Sequence, residues 1–231
     1  MKDRFKGIMK NNFKKSRLLY GLYIVIYLPW FFILEACINE TSPDIHILNR
    51  RMDELIPFCE YFIIPYIFWV FYILGACVFM LFKATDKEFQ QFGMTLIIGM
   101  SLCLFICMIY PNGVQLRPEI ENLPDNIFGV MVKYLYLSDT STNVFPSIHV
   151  FNSLAVHISL TKCEALKNHT GVKCFSLITC ILICMSTVFL KQHCIVDVIG
   201  ACGLMVVMYV LIYAVNYKKV ADNAKETVSI H

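Results

Sequence analysis

The sequence predicts an all-α integral membrane protein with six transmembrane helices, and three observations lead there. Of its 231 residues, 58% are apolar and 16% charged, where soluble domains hold about 45–50% and about 25%. Mean hydropathy is +0.61, and a soluble globule of this length has too little interior for so many apolar side chains. The apolar residues also gather into runs near the roughly 20 residues that cross a bilayer as a helix. Disordered, collagenous and coiled-coil organisations fall on the same composition.

Seven basic residues (Lys2, Arg4, Lys6, Lys10, Lys14, Lys15, Arg17) precede the first run, so residues 1–17 read as a cytoplasmic anchor. A nucleic-acid-binding arm would not be followed by mostly lipid-compatible sequence. The first span is Leu18–Ile38. Its end, Leu34-Glu35-Ala36-Cys37, faintly resembles a lipoprotein processing site. The run is nevertheless longer than a signal core of about 7–15 residues, and Glu35 suits a cleavage point poorly. Four further spans follow from length and hydropathy: Ile63–Phe82, Phe92–Tyr110, Cys174–Leu190 and Cys194–Val215. Phe145–Leu160 is the most polar candidate, with Ser147, His149, Asn152, Ser153, His157 and Ser159. Reading it as a loop leaves an odd number of crossings, so it counts as the sixth.

Six spans put both termini on one side. That side then carries 15 of the 20 basic residues, and the other keeps Arg50, Arg51, Arg117, Lys133 and Lys191. The positive-inside rule makes the first side cytoplasmic. The chain is therefore one membrane domain: a basic arm (1–17), a six-helix core (18–217) and a cytoplasmic tail (218–231). The inner loops, Lys83–Gln91 and Thr161–Lys173, are short and charged. The outer loops, Asn39–Phe62 and Pro111–Val144, are long. In the first, Ile45, Leu48, Met52 and Leu55 recur at helical spacing and predict a short interfacial helix. In the second, Ile127–Leu137 is apolar but too short to cross, which predicts a surface or re-entrant lid. The 11 cysteines are odd in number, form no CxxC pair and sit mostly in apolar runs. They read as small buried hydrophobes rather than a disulfide framework.

Ionisable residues inside spans are costly, and each is a functional hypothesis. In Pro146-Ser147-Ile148-His149, Pro suits a first helical turn, and the Ser147 and Ile148 N–H groups would form an anion site at the helix N-terminus. His149, Ser153 and His157 then share one helical face. Ser153 and His157 read as interhelical hydrogen-bonders, and His149, at the mouth, as functional. His193 and Asp197 are four apart at the start of the last span, within reach of each other. A carboxylate holding one imidazole nitrogen leaves the other as a directed nucleophile or base; the plainer alternative is a structural pair. Two histidines without clustered thiolates or carboxylates make a poor metal site. Arg117, in Tyr110-Pro111-Asn112-Gly113-Val114-Gln115-Leu116-Arg117-Pro118, offers a planar fork for phosphate oxygens. Lys191 precedes the last span and can supply a second cation beside His193, the alternative being a lysine that snorkels to headgroups. All three constellations fall on the outer side.

Together these residues resemble the type 2 phosphatidic acid phosphatases and their lipid phosphotransferase relatives. That family's pattern is Lys, six residues, Arg-Pro; then Pro-Ser-x-His; then Ser-Arg, five residues, His, three residues, Asp. Here it is met by Arg117-Pro118, by Pro146-Ser147-Ile148-His149, and by Ser186 with His193 and Asp197. Tyr110 stands at the family lysine, Thr187 at the family arginine, and Ile148 where glycine is frequent. Ser186–His193 is closer in style to the inositol phosphorylceramide synthase-like branch.

The resemblance implies a type 2 phosphatidic acid phosphatase-like core and a metal-independent lipid phosphatase without cofactor. It would act on a lipid phosphate or pyrophosphate through a phosphohistidine. His193 would attack phosphorus, Asp197 orient it, and His149 protonate the leaving oxygen and later activate water. Arg117, Ser147 and Lys191 would hold the phosphoryl oxygens. The expected partners are lipid phosphate and membrane lipids, with no nucleic acid. The expected location is the plasma membrane, as in a bacterial inner membrane, with the site facing outward. Two alternatives stay open: a headgroup phosphotransferase, in which a sugar or inositol hydroxyl replaces water, and a non-enzymatic transporter or scaffold.

Overall fold

The computed structural model describes residues 17, 20–39 and 42–215. The tail, with Lys218, Lys219 and Lys225, and every basic residue of the arm except Arg17 lie outside the described residues. The elements run α1 (Tyr23–Cys37), β1 (His46–Ile47), α2 (Arg51–Leu55), α3 (Ile63–Lys83), α4 (Asp86–Ile109), β2 (Asn112–Gly113), α5 (Ile127–Ser138), α6 (Ile148–Lys162), α7 (Thr170–Phe189) and α8 (Ile195–Tyr209). A π-helical turn, Val210–Ala214, continues α8.

The chain is mostly helical, and four helical segments are long and apolar enough to cross a membrane: Glu60–Lys83, Asp86–Ile109, Thr170–Phe189 and Ile195–Ala214. The other two expected spans are shorter as helices. α1 and α6 have 15 residues each, about 22 Å at 1.5 Å per residue, against a hydrocarbon core of about 30 Å. α6 starts at Ile148, later than the proline rule predicts, because Ser147 takes the N-cap and its Oγ accepts from Val150 N–H at 3.4 Å. α4 starts earlier than expected. Thr85 and Glu88 form a reciprocal cap, with Thr85 N–H donating to Glu88 Oε2 at 2.8 Å, so residues 86–91, with the charged Asp86, Lys87 and Glu88, are helical rather than loop.

α6 is the central helix, with α3, α4, α7 and α8 packed around it. That position explains its composition, since protein rather than lipid surrounds its polar groups. His157 Nδ1 meets Ser176 Oγ at 3.0 Å, and Ser176 Oγ meets the Tyr72 hydroxyl at 2.6 Å, joining α6, α7 and α3. Ser153 Oγ donates to the His149 carbonyl at 2.7 Å. Close approach depends on two glycines: a Cβ on Gly99 would meet the Phe151 ring, and one on Gly200 the Phe145 ring.

At the other end of the bundle from the Thr85 cap, the two long loops are tied together. β1 and β2 pair in parallel, His46 with Asn112 and Ile47 with Gly113, and Gly113 also bridges Thr142. This pairing draws residues 46–47 out of the predicted interfacial helix. Helix forms only over Arg51–Leu55, where Met52 and Leu55 are exposed and Asp53 is buried. α5 forms where the apolar run predicts a lid. Asn126 Oδ1 caps it by accepting from Phe128 and Gly129 N–H, both at 2.9 Å, and α5 packs on α3 through buried Val132. All 11 cysteines are free.

Candidate functional site

The polar constellations, distant in sequence, meet at this tied end. Asn112 is fully buried, and its Oδ1 accepts from Val144 N–H (3.0 Å) and Phe145 N–H (2.8 Å). It thereby fixes the segment that delivers Ser147 and His149. Ser147 N–H donates to the Asp197 backbone carbonyl at 3.3 Å, which sets the α6 N-terminus against that of α8. The α7–α8 turn is closed by the Thr187 carbonyl, which accepts from Gln192 and His193 N–H, both at 3.0 Å. Lys191 takes the left-handed conformation that this reversal needs, with φ 56°.

His193 and Asp197 are held as their spacing predicts. Asp197 Oδ2 lies 3.3 Å from His193 Nδ1 and accepts from Cys194 N–H at 2.9 Å, so the carboxylate caps α8 while it orients the ring. A second buried carboxylate serves the same helix end: Asp53 Oδ1 accepts from Ile195 N–H at 2.7 Å. His149 packs against Tyr66 and Trp69, with ring centroids 4.6 and 4.2 Å away. The His149 and His193 rings meet edge to face at 5.7 Å. With Nδ1 of His193 engaged by Asp197, Nε2 is the nitrogen available for chemistry.

Both histidines line an open-mouthed cavity of about 660 Å³ bordered by α1, α3 and α5. Its body is apolar, from Tyr27, Phe31, Ile67, Val70, Met131 and Leu135. Its polar end adds Glu35, Asp139, Thr140, Asn143 and Gln192 to the histidines. Among the described residues, no lysine or arginine lines it. Glu35 accepts from Thr140 Oγ1, and from Asn143 Nδ2 at 2.8 Å. Burial raises the Asp139 carboxyl above the ordinary aspartate range, against the opposing pull of Arg117 and His193. Among the described residues, no group of three His, Cys, Asp or Glu side chains is arranged to hold a metal ion.

The structure thus brings His149, His193 and Asp197 together, and treats the three expected phosphate-holding residues differently. Ser147 is fully buried as a helix cap with its N–H engaged, so it does not leave that N–H free for an anion. Arg117 stands behind the cavity wall. Its guanidinium donates to the carbonyls of Asp139 (2.8 Å) and Thr140 (2.7 Å) and to Gln192 Oε1 (2.7 Å), and it lies 4.7 Å over the Tyr136 ring.

Lys191 requires a correction. Its ammonium donates to the carbonyls of Asp53 (2.6 Å) and Ile56 (2.5 Å), closing the C-terminal end of α2 instead of facing the cavity. Burial lowers its pKa, with Asp53 and Glu54 opposing. Tyr110 stacks on His46 at 4.3 Å. The Thr187 hydroxyl donates to the Cys184 carbonyl at 2.8 Å.

Sequence reasoning missed Asp53, Asn112, Asp139 and Gln192, and weighed Glu35 only as an obstacle to cleavage. Glu35 alone had a usable signal, a carboxylate inside an apolar run. Comparison with protein-family models, curated proteins and solved structures finds no match.

Proposed function

We propose that the protein is a membrane lipid phosphatase working through a phosphohistidine. One observation carries this reading: His149 and His193 face each other at 5.7 Å at the polar end of an apolar cavity, with Asp197 on the far nitrogen of His193. In the first step His193 Nε2 attacks phosphorus, and the bond from phosphorus to the lipid oxygen breaks. His149 takes the proton that the bound phosphate monoanion carries and passes it to that oxygen. In the second step His149 takes a proton from water, which attacks the phosphohistidine and releases inorganic phosphate and free His193. Asp197 supports the positive imidazole between the two steps.

On this reading α1, α3, α4, α6, α7 and α8 all cross the membrane with both termini cytoplasmic, and the cavity opens toward the outer leaflet of a plasma membrane. The 15-to-5 division of basic residues supports that orientation.

Headgroup transfer is a second reading with an observation of its own. Glu35, Asp139 and Asn143 form a run of hydrogen-bond acceptors across the cavity's polar end, suited to an acceptor alcohol in place of water. The test is product analysis with purified protein in detergent and radiolabelled phosphatidate, with and without glycerol or inositol. Inorganic phosphate released by wild type and not by His193→Ala supports the phosphatase. A new phosphodiester formed only with added polyol supports transfer. Neither product would return the histidine stripe to a transport or scaffold role.

A further inference from the structure

A transferring phosphoryl group needs its nonbridging oxygens held by donors fixed in a water-poor site. The cavity wall carries no lysine or arginine among the described residues. Gln192 is the polar side chain there whose bonding is incomplete in a telling way. It is 2% exposed, borders the cavity, and precedes the nucleophile His193. Its Oε1 accepts from Arg117 Nη2 at 2.7 Å, whereas its Nε2 is buried with no partner among the described residues. The amide cannot sit the other way round, because a flip would set its NH₂ against the guanidinium donors. A buried NH₂ without an acceptor keeps its full desolvation penalty, and a ligand oxygen removes it.

We propose that Gln192 holds a nonbridging phosphoryl oxygen through Nε2–H, with Arg117 acting through it as a positioning residue. Arg117 fixes the amide's orientation and polarises it by drawing on Oε1. Its charge thereby bears on the oxyanion from one residue away while its other donors keep the end of α5 in place. A relayed cation leaves the acid-lined cavity free of a buried ion pair, whose desolvation would oppose binding. The inference rests on the phosphatase reading and names the residue that recognises the tetrahedral oxyanion.

The test compares orthovanadate, as the phosphate analogue, on wild type, Gln192→Glu and Gln192→Met in detergent. Vanadate is read as a thermal shift of the protein and as inhibition of phosphatidate hydrolysis. Gln192→Met removes the donor without adding charge, so vanadate affinity should fall about 10- to 100-fold, the size of one hydrogen bond to a charged group, with a lower melt. Gln192→Glu keeps the volume and an oxygen for Arg117, so it should melt near wild type while losing at least as much affinity, its carboxylate repelling the anion as well. Unchanged vanadate affinity in a folded Gln192→Glu protein, with wild type hydrolysing phosphatidate, overturns this inference and leaves the phosphatase standing. A wild type that neither hydrolyses phosphatidate nor binds vanadate overturns both.

Discussion

At the scale of single residues, legibility depended on how far the partner lies along the chain. His193 and Asp197 meet through the i, i+4 geometry of one helical turn, so their pairing could be read directly. The partners of Lys191 are 138 and 135 residues away, and no local pattern reports them. Lys191→Ala should therefore act on stability. Losing one ammonium and leaving two α2-end carbonyls unpaired should cost about 1.5–3 kcal/mol, read as a lower midpoint in detergent melts. Turnover by the protein that stays folded should remain within about threefold of wild type; a 100-fold loss would put the ammonium back in the chemistry.

Asp139 provides a pH test. Burial raises its folded-state pKa above the ordinary value of about 3.9, so the folded chain holds this proton longer than the unfolded chain does. Its contribution to stability is fully present below the unfolded value and is lost as pH climbs through the raised one. Asp139→Asn, which cannot ionise, should flatten the fall of melting temperature across that window. Parallel wild-type and variant curves would contradict the assignment.

At the scale of elements, α6 was the hardest to read, and its burial explains why. Hydropathy alone marks the Phe145–Leu160 run down for its serines and histidines, yet these side chains bond to neighbouring helices and to the turn above. Only the parity of crossings argued for the span. The boundaries of α4 and α6 moved because capping by Thr85 and Ser147, rather than apolarity, set them. The predicted interfacial helix shrank to five residues because β1 pairs with β2, a partnership no hydropathy pattern shows.

Two variants test the packing of these elements. Gly99→Ala would drive a methyl into the Phe151 ring at the α4–α6 contact, and overpacking of this kind costs about 1–3 kcal/mol. The expected result is a lower melting temperature, and an unchanged one would mean that the two helices are not held this close. Arg117→Ala should release the C-terminal end of α5, since the guanidinium holds the Asp139 and Thr140 carbonyls. Backbone amides across 127–140 should then exchange with deuterium faster, and unaltered exchange would remove Arg117 as the clasp of α5.

At the scale of the whole molecule, the proposed membrane orientation and the proposed chemistry meet: on the positive-inside reading of the sequence, His149 and His193 stand on the side assigned few basic residues. Orientation has its own test, single cysteines in a cysteine-less background. Exposed Gln115 and Glu121 at the histidine end should react with impermeant reagents from outside, and exposed Lys87 and Lys167 only after the membrane is opened. The reverse pattern would turn the cavity to the inner leaflet. The central claim, however, is a covalent one, and it is tested most directly by trapping the intermediate. Purified protein incubated with ³²P-labelled phosphatidate and quenched in alkali, where a phosphohistidine survives, should carry label. His193→Ala should carry none, and an activated leaving group should restore label to His149→Ala. Label that persists in His193→Ala, or its absence from a wild type that releases phosphate, would contradict His193 as the nucleophile.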